Sequence, residues 1–102
     1  MRLCIVVKEV EDTREVKGIF SSWEDTMYFI QRNPLNNNEV FILYSYDNNA
    51  SLDGSATCLK YIYKNKPNFG NTLISCDDVT NDTPIKVIEE QYNMLSTKIC
   101  TL

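Results

Sequence analysis

Apolar positions recur along this chain with two periods, and the change from one to the other marks its elements. From Arg2 to Val10 the run is apolar on both faces: Leu3, Ile5 and Val7 alternate with Cys4 and Val6. A strand of that kind is expected at the centre of a sheet or under cover on both sides. Glu11 to Arg14 reads as a turn and Glu15 to Phe20 as the returning strand of a hairpin, with Gly18 marking a bulge or a close neighbour. The period then switches to that of a helix. Trp23, Thr26, Met27 and Ile30 fall on one face at 100° per residue, while Glu24, Asp25, Tyr28, Gln31 and Arg32 fall elsewhere. Ser21 with Glu24, or Ser22 with Asp25, offers a capped start, and Asn33-Pro34 ends the helix. Trp23 and Ile30 are expected to be buried against the sheet.

Beyond a turn-rich stretch, Glu39 to Tyr46 is the strand with the clearest composition. Val40, Ile42, Tyr44 and Tyr46 face one way, and Phe41 and Leu43 the other. After a polar loop containing Asp53-Gly54, the stretch from Thr57 to Lys64 places Leu59, Tyr61 and Tyr63 on one face, with Cys58, Lys60, Ile62 and Lys64 opposite. A loop with Pro67 and Gly70 leads to a short strand from Thr72 to Cys76. Thr83-Pro84 then resembles an N-cap followed by proline at the first helical position. Ile85, Ile88, Tyr92 and Leu95 extend one apolar face to about Leu95, and Ile99-Cys100 reads as a terminal strand or a docked tail. The expected order is β-β-α-β-β-β-α in one domain over residues 1–102. It forms an α+β fold with an antiparallel sheet of about five strands and one or two helices on one face.

The first third of the chain adds a resemblance. Leu3-Cys4-Ile5-Val6-Val7, followed by Gly18-Ile19-Phe20-Ser21-Ser22 running into Trp23-Glu24-Asp25 and Phe29-Ile30, resembles small uncharacterised proteins of phages and large DNA viruses. Those share a short hairpin, a G-V/I-F-S/D turn and one helix. The resemblance implies a viral accessory role. It carries no catalytic residue, because the shared motif is a strand-to-helix cap.

Composition changes the picture mainly by exclusion. The net charge of −4 argues against nucleic acid as the default partner, since neutralising phosphates takes clustered lysine and arginine. The run Leu3 to Val7 is too short for a signal-peptide core or a membrane span. The expected location is therefore the cytoplasm of the producing or host cell, with no membrane partner. Histidine is absent, which removes the usual base for a serine or cysteine nucleophile, so no enzyme is expected. Cys4, Cys58, Cys76 and Cys100 lack the close pairing of a zinc site and read as small apolar residues. Asp47, Asn49, Ser51 and Asp53 imitate a calcium loop, but Leu52 stands where glycine is needed and Cys58 where the bidentate glutamate belongs. The acids Asp77, Asp78 and Asp82, and Glu11, Asp12 and Glu15, read as solvated loop residues. No metal or cofactor is expected.

Binding is what remains. Tyr44, Tyr46, Tyr61 and Tyr63 offer amphipathic area suited to a protein interface, and Tyr28 should project from the helix. A homodimer with Tyr44, Tyr46, Tyr61 or Tyr63 at the contact is expected, acting as an inhibitor or regulator of another factor. The alternative is a nucleic-acid module using Lys60, Tyr61, Tyr63, Lys64 and Lys66. Alternation weakens it, because Tyr61 and Tyr63 point away from Lys60 and Lys64.

Overall fold

The computed structural model describes residues 2–47, 57–79, 83–84 and 86–89. The loop with Asp53-Gly54, Asp82 and the Ile99-Cys100 tail lie outside them. Five strands, β1 (Leu3–Val10), β2 (Thr13–Phe20), β3 (Glu39–Tyr46), β4 (Cys58–Lys66) and β5 (Gly70–Asp78), form one sheet in the order β2-β1-β3-β4-β5. Every neighbouring pair is antiparallel. Because β2 and β3 both run against β1, they run parallel to each other. A tight turn cannot join parallel strands, and helix α1 (Trp23–Arg32) makes the crossover.

The start of α1 is set by Ser22. Its Oγ accepts from the Asp25 N–H at 3.1 Å, and its carbonyl accepts from the Thr26 hydroxyl at 2.7 Å. Glu24 and Asp25 sit in the first turn and Arg32 in the last, matching the helix dipole. Thr26 and Ile30 are buried, whereas Trp23 is half-buried, short of the full burial its position suggests. Its ring meets Tyr61 edge-on at 5.3 Å, and the Arg2 guanidinium covers it at 5.4 Å.

The α+β class and the element order are those expected; β1 is covered on both faces, as its two-sided apolar run suggests, and so is β3. One face packs Cys4, Val6, Phe41, Leu43 and Tyr63 against Ile30 and Leu35. On it, Phe29 bridges Phe20 at 5.4 Å and Phe41 at 5.9 Å. The other packs Ile5, Val7, Ile42, Tyr44, Tyr46 and Cys58 with Val87, and Ile88 lies alongside. The second helix, helical at residues 84 and 86–89, therefore lies opposite α1 and not beside it. The reason is that β1 and β3 present apolar residues both ways, and a single helix covers one side of them. Thr83 caps it, accepting from the Lys86 N–H at 3.3 Å.

Both edge strands carry a bulge. Val6 pairs with Gly18 and Val7 with Val16, which leaves Lys17 extra. A Cβ at position 18 would lie 2.6 Å from the Phe20 ring, so any larger residue there has to displace that ring. On the far edge Ile62 pairs with Ser75 and Tyr63 with Leu73, leaving Ile74 extra. Strand β5 is longer than its apolar core suggests, because pairing with β4 draws polar residues into the sheet at both ends.

A buried charge locks the start of β3. The Glu39 carboxylate accepts from the Asn36 N–H at 2.8 Å and meets the Lys8 ammonium at 3.0 Å. The backbone N–H, and then the Lys8 charge, hold its carboxyl below the ordinary glutamate value of 4.5. A group depressed in the folded state stabilises above its unfolded pKa and loses that contribution as pH falls through its folded pKa. Glu39→Gln should therefore be less stable than wild type at neutral pH. The gap in urea midpoints should narrow on acidification below about pH 4.5. A gap that does not change with pH would assign the effect to packing instead.

Candidate functional site

The β4–β5 hairpin carries the most unusual surface. Lys66-Pro67-Asn68-Phe69 closes as a hydrogen-bonded turn, with the Phe69 N–H donating to the Lys66 carbonyl at 3.0 Å. Asn68 takes φ +73, as the third residue of a type II turn must, and Gly70 follows at φ +75. Proline, asparagine and glycine satisfy that geometry by themselves, so the turn has no local use for the Phe69 ring. The ring stands 79% exposed, and Leu73 and Ile74 in β5 are 47% and 48% exposed.

The turn end of the hairpin is anchored by Asn71. Its amide nitrogen donates to the Ile30 carbonyl at 2.6 Å and the Asn33 carbonyl at 2.9 Å, and its oxygen accepts from the Leu35 N–H at 3.1 Å. Carbonyls at a helix C-terminus lack intrahelical partners, and here a side chain from the sheet supplies them. The strand bearing Leu73 and Ile74 is thus fixed to the end of α1.

The tyrosines are placed differently from the expected contact surface. Tyr44, Tyr46 and Tyr63 are 5%, 1% and 7% exposed, so they are core residues and not open contacts. The two helices on opposite faces account for this: Tyr63 donates to Met27 Sδ of α1 at 3.7 Å, and Tyr44 and Tyr46 lie in the cluster of Val87. Tyr61 is half-buried under Trp23. Burial, and then the Cys76 thiol, push its hydroxyl pKa up, and burial with Tyr61 alongside does the same for Tyr63. Tyr28 is exposed as expected, with the Arg32 guanidinium stacked on it at 4.5 Å.

Lys60, Lys64 and Lys66 share the face opposite Tyr61 and Tyr63, as alternation requires. Lys60 lies 5.9 Å from the ring of Tyr44, which is itself buried. These residues therefore do not come together as one platform of stacking rings and cations.

A cleft of about 170 Å3 opens where β1 starts and β3 ends, lined by Arg2, Ser45, Asp47, Thr57 and Tyr61 among others. It is smaller than the roughly 300–1,000 Å3 of pockets that enclose a small ligand. Among the described residues, no group of three or more acids and cysteines is placed to hold a metal ion. Cys4 and Cys58 are buried, as the apolar reading requires, whereas Cys76 is exposed on β5. No described helix is long and apolar enough to cross a membrane.

No family model, curated protein or solved structure matches this chain. The site must therefore be read from its own residues. Phe69, Leu73 and Ile74 were not marked by periodicity. The available signal was local: an aromatic residue inside a turn whose other positions are filled by turn formers.

Proposed function

We propose that this protein acts inside the cell by binding other polypeptide chains, as an accessory protein of the viral or phage kind that its first third resembles. The observation that carries the reading is the exposure of Leu73 and Ile74, adjacent in β5, together with Phe69 at the turn of the same hairpin. Single exposed apolar residues are ordinary, but neighbouring ones on a fixed element favour contact with protein. The anchor at Asn71 strengthens the case, since a surface held rigidly loses less entropy on association. Strand edges beside such a group also accept an added strand, with main-chain hydrogen bonds giving affinity and side chains giving selectivity.

The test is site-specific photo-crosslinking in the producing cell. A photoreactive phenylalanine analogue in place of Phe69 should give protein adducts in several-fold excess over the same residue in place of Lys17, on the opposite edge strand. Equal yields at the two positions would overturn the reading. Adducts that disappear on nuclease treatment would shift it to nucleic acid and the Lys60–Lys66 stretch.

A further inference from the structure

The two edges of the sheet differ in how they are protected. Strand β2 carries Arg14, Glu15 and Lys17, the last of them in its bulge. Such charges discourage a second strand from pairing. Strand β5 runs Asn71-Thr72-Leu73-Ile74-Ser75-Cys76 without a charge and ends in Asp77-Asp78. Among the described residues, nothing pairs with its outer edge. Its charged surroundings are polarised along its length. Lys64 and Lys66 of β4 flank its start, opposite Thr72 and Gly70, and the acids occupy its end.

Resting on the protein-binding reading above, we infer that the partner is a second copy of this chain, joined antiparallel through β5 about a two-fold axis between Leu73 and Ile74. Three observations select this arrangement. First, antiparallel pairing lays the acidic end of one strand against the basic end of the other, whereas parallel pairing would bring like ends together.

Second, residues paired across strands must share a face, and the Ile74 bulge shifts the parity of the second half of β5. A centre between Leu73 and Ile74 matches Gly70 with the second copy's Asp77, Asn71 with its Cys76 and Thr72 with its Ser75. Gly70 and Asp77 do lie on one face, being paired to Lys66 and Lys60 of an unbroken β4.

Third, Gly70 has no side chain, and nothing lies within 4 Å of where one would begin. Lys66 can therefore reach across Gly70 toward the second copy's Asp77, two strand spacings or about 9–10 Å away. Leu73 and Ile74 of both copies meet at the axis, and Phe69 lies at the rim.

Sedimentation equilibrium of the full chain at micromolar concentration is the test. The wild type should sediment at twice the 11.8 kDa chain mass, and Leu73→Lys, with circular dichroism unchanged, at the single mass. Charge reversal reads out the geometry. Asp77→Lys alone and Lys66→Glu alone should each dimerise about tenfold more weakly, and an equimolar mixture of the two should recover most of the loss. A wild-type monomer overturns the inference, while adducts to a foreign protein at position 69 would leave the binding reading standing. A dimer that survives Leu73→Lys, or reversals that fail to complement, overturns the β5 interface and leaves self-association through another surface.

Discussion

Phe41→Ala should cost about 3–5 kcal/mol, the usual range for truncating a fully buried aromatic residue. Phe41 is 2% exposed and lies where Phe29 of α1 meets the sheet, with its ring centroid 5.9 Å away. Removing the ring leaves a cavity between two elements that the backbone cannot close, because β3 is held by hydrogen bonds to β1 and β4. Domains of this size hold about 5–15 kcal/mol in total, so the variant should unfold at a greatly reduced urea midpoint. Trp23→Ala is the control. That ring is larger but half-buried, so its loss should cost about 1–3 kcal/mol. Equal losses would mean that the helix packs through its first turn rather than its centre.

Asn71→Asp should be nearly as damaging, at about 3–4 kcal/mol. The substitution keeps the shape and the acceptor for the Leu35 N–H. It replaces the two donated bonds by a negative oxygen facing the carbonyls of Ile30 and Asn33. Those carbonyls sit at the negative end of the helix dipole, so the new charge is repelled twice. Asn71→Ala, which removes the bonds without adding charge, should cost about 1–3 kcal/mol. Urea unfolding of the pair at neutral pH measures the difference. Losses of equal size would show that the hydrogen bonds matter and the charge does not. Below the carboxylate range the aspartate variant should recover past the alanine one toward wild type, since a protonated acid keeps the acceptor and regains one donor.

Much of the fold was legible because its signals are local. The two-sided apolar run of β1 pointed to a central or doubly covered strand, which is what it is. Ser22 and Thr83 each began a helix where the capping pattern placed one. Ser21 and Ser22 both fitted the spacing, and the choice fell to Ser22 through contacts with Asp25 and Thr26 that spacing does not distinguish. Alternation assigned every tyrosine in β3 and β4 to its observed face. It could not tell that both faces were occupied, because that depends on where a helix from the end of the chain docks. Asn71 was illegible for the same reason. In a chain rich in asparagine, nothing local separates a turn residue from one that bonds a helix end 38 positions away. Phe69 could have been found, since a turn built by proline, asparagine and glycine gives an aromatic side chain no local task.

The pairing of β1 with β3 bears on how the chain reaches this structure. The β1–β2 and β4–β5 hairpins each close over a short turn, and isolated hairpins form in roughly 1–10 μs. The seam between β1 and β3 matches Val10 with Glu39 and Leu3 with Tyr46, with a strand and a helix in the intervening chain. Its closure entropy is spent before most of the central contacts can reward it. The two hairpins should thus assemble early and wait for this seam, which makes it the kinetic bottleneck. While it is open, the apolar flanks of β1 and β3 face solvent. The hazard of misassembly on the way to the native state is then concentrated in the two strands that are best protected once it is reached.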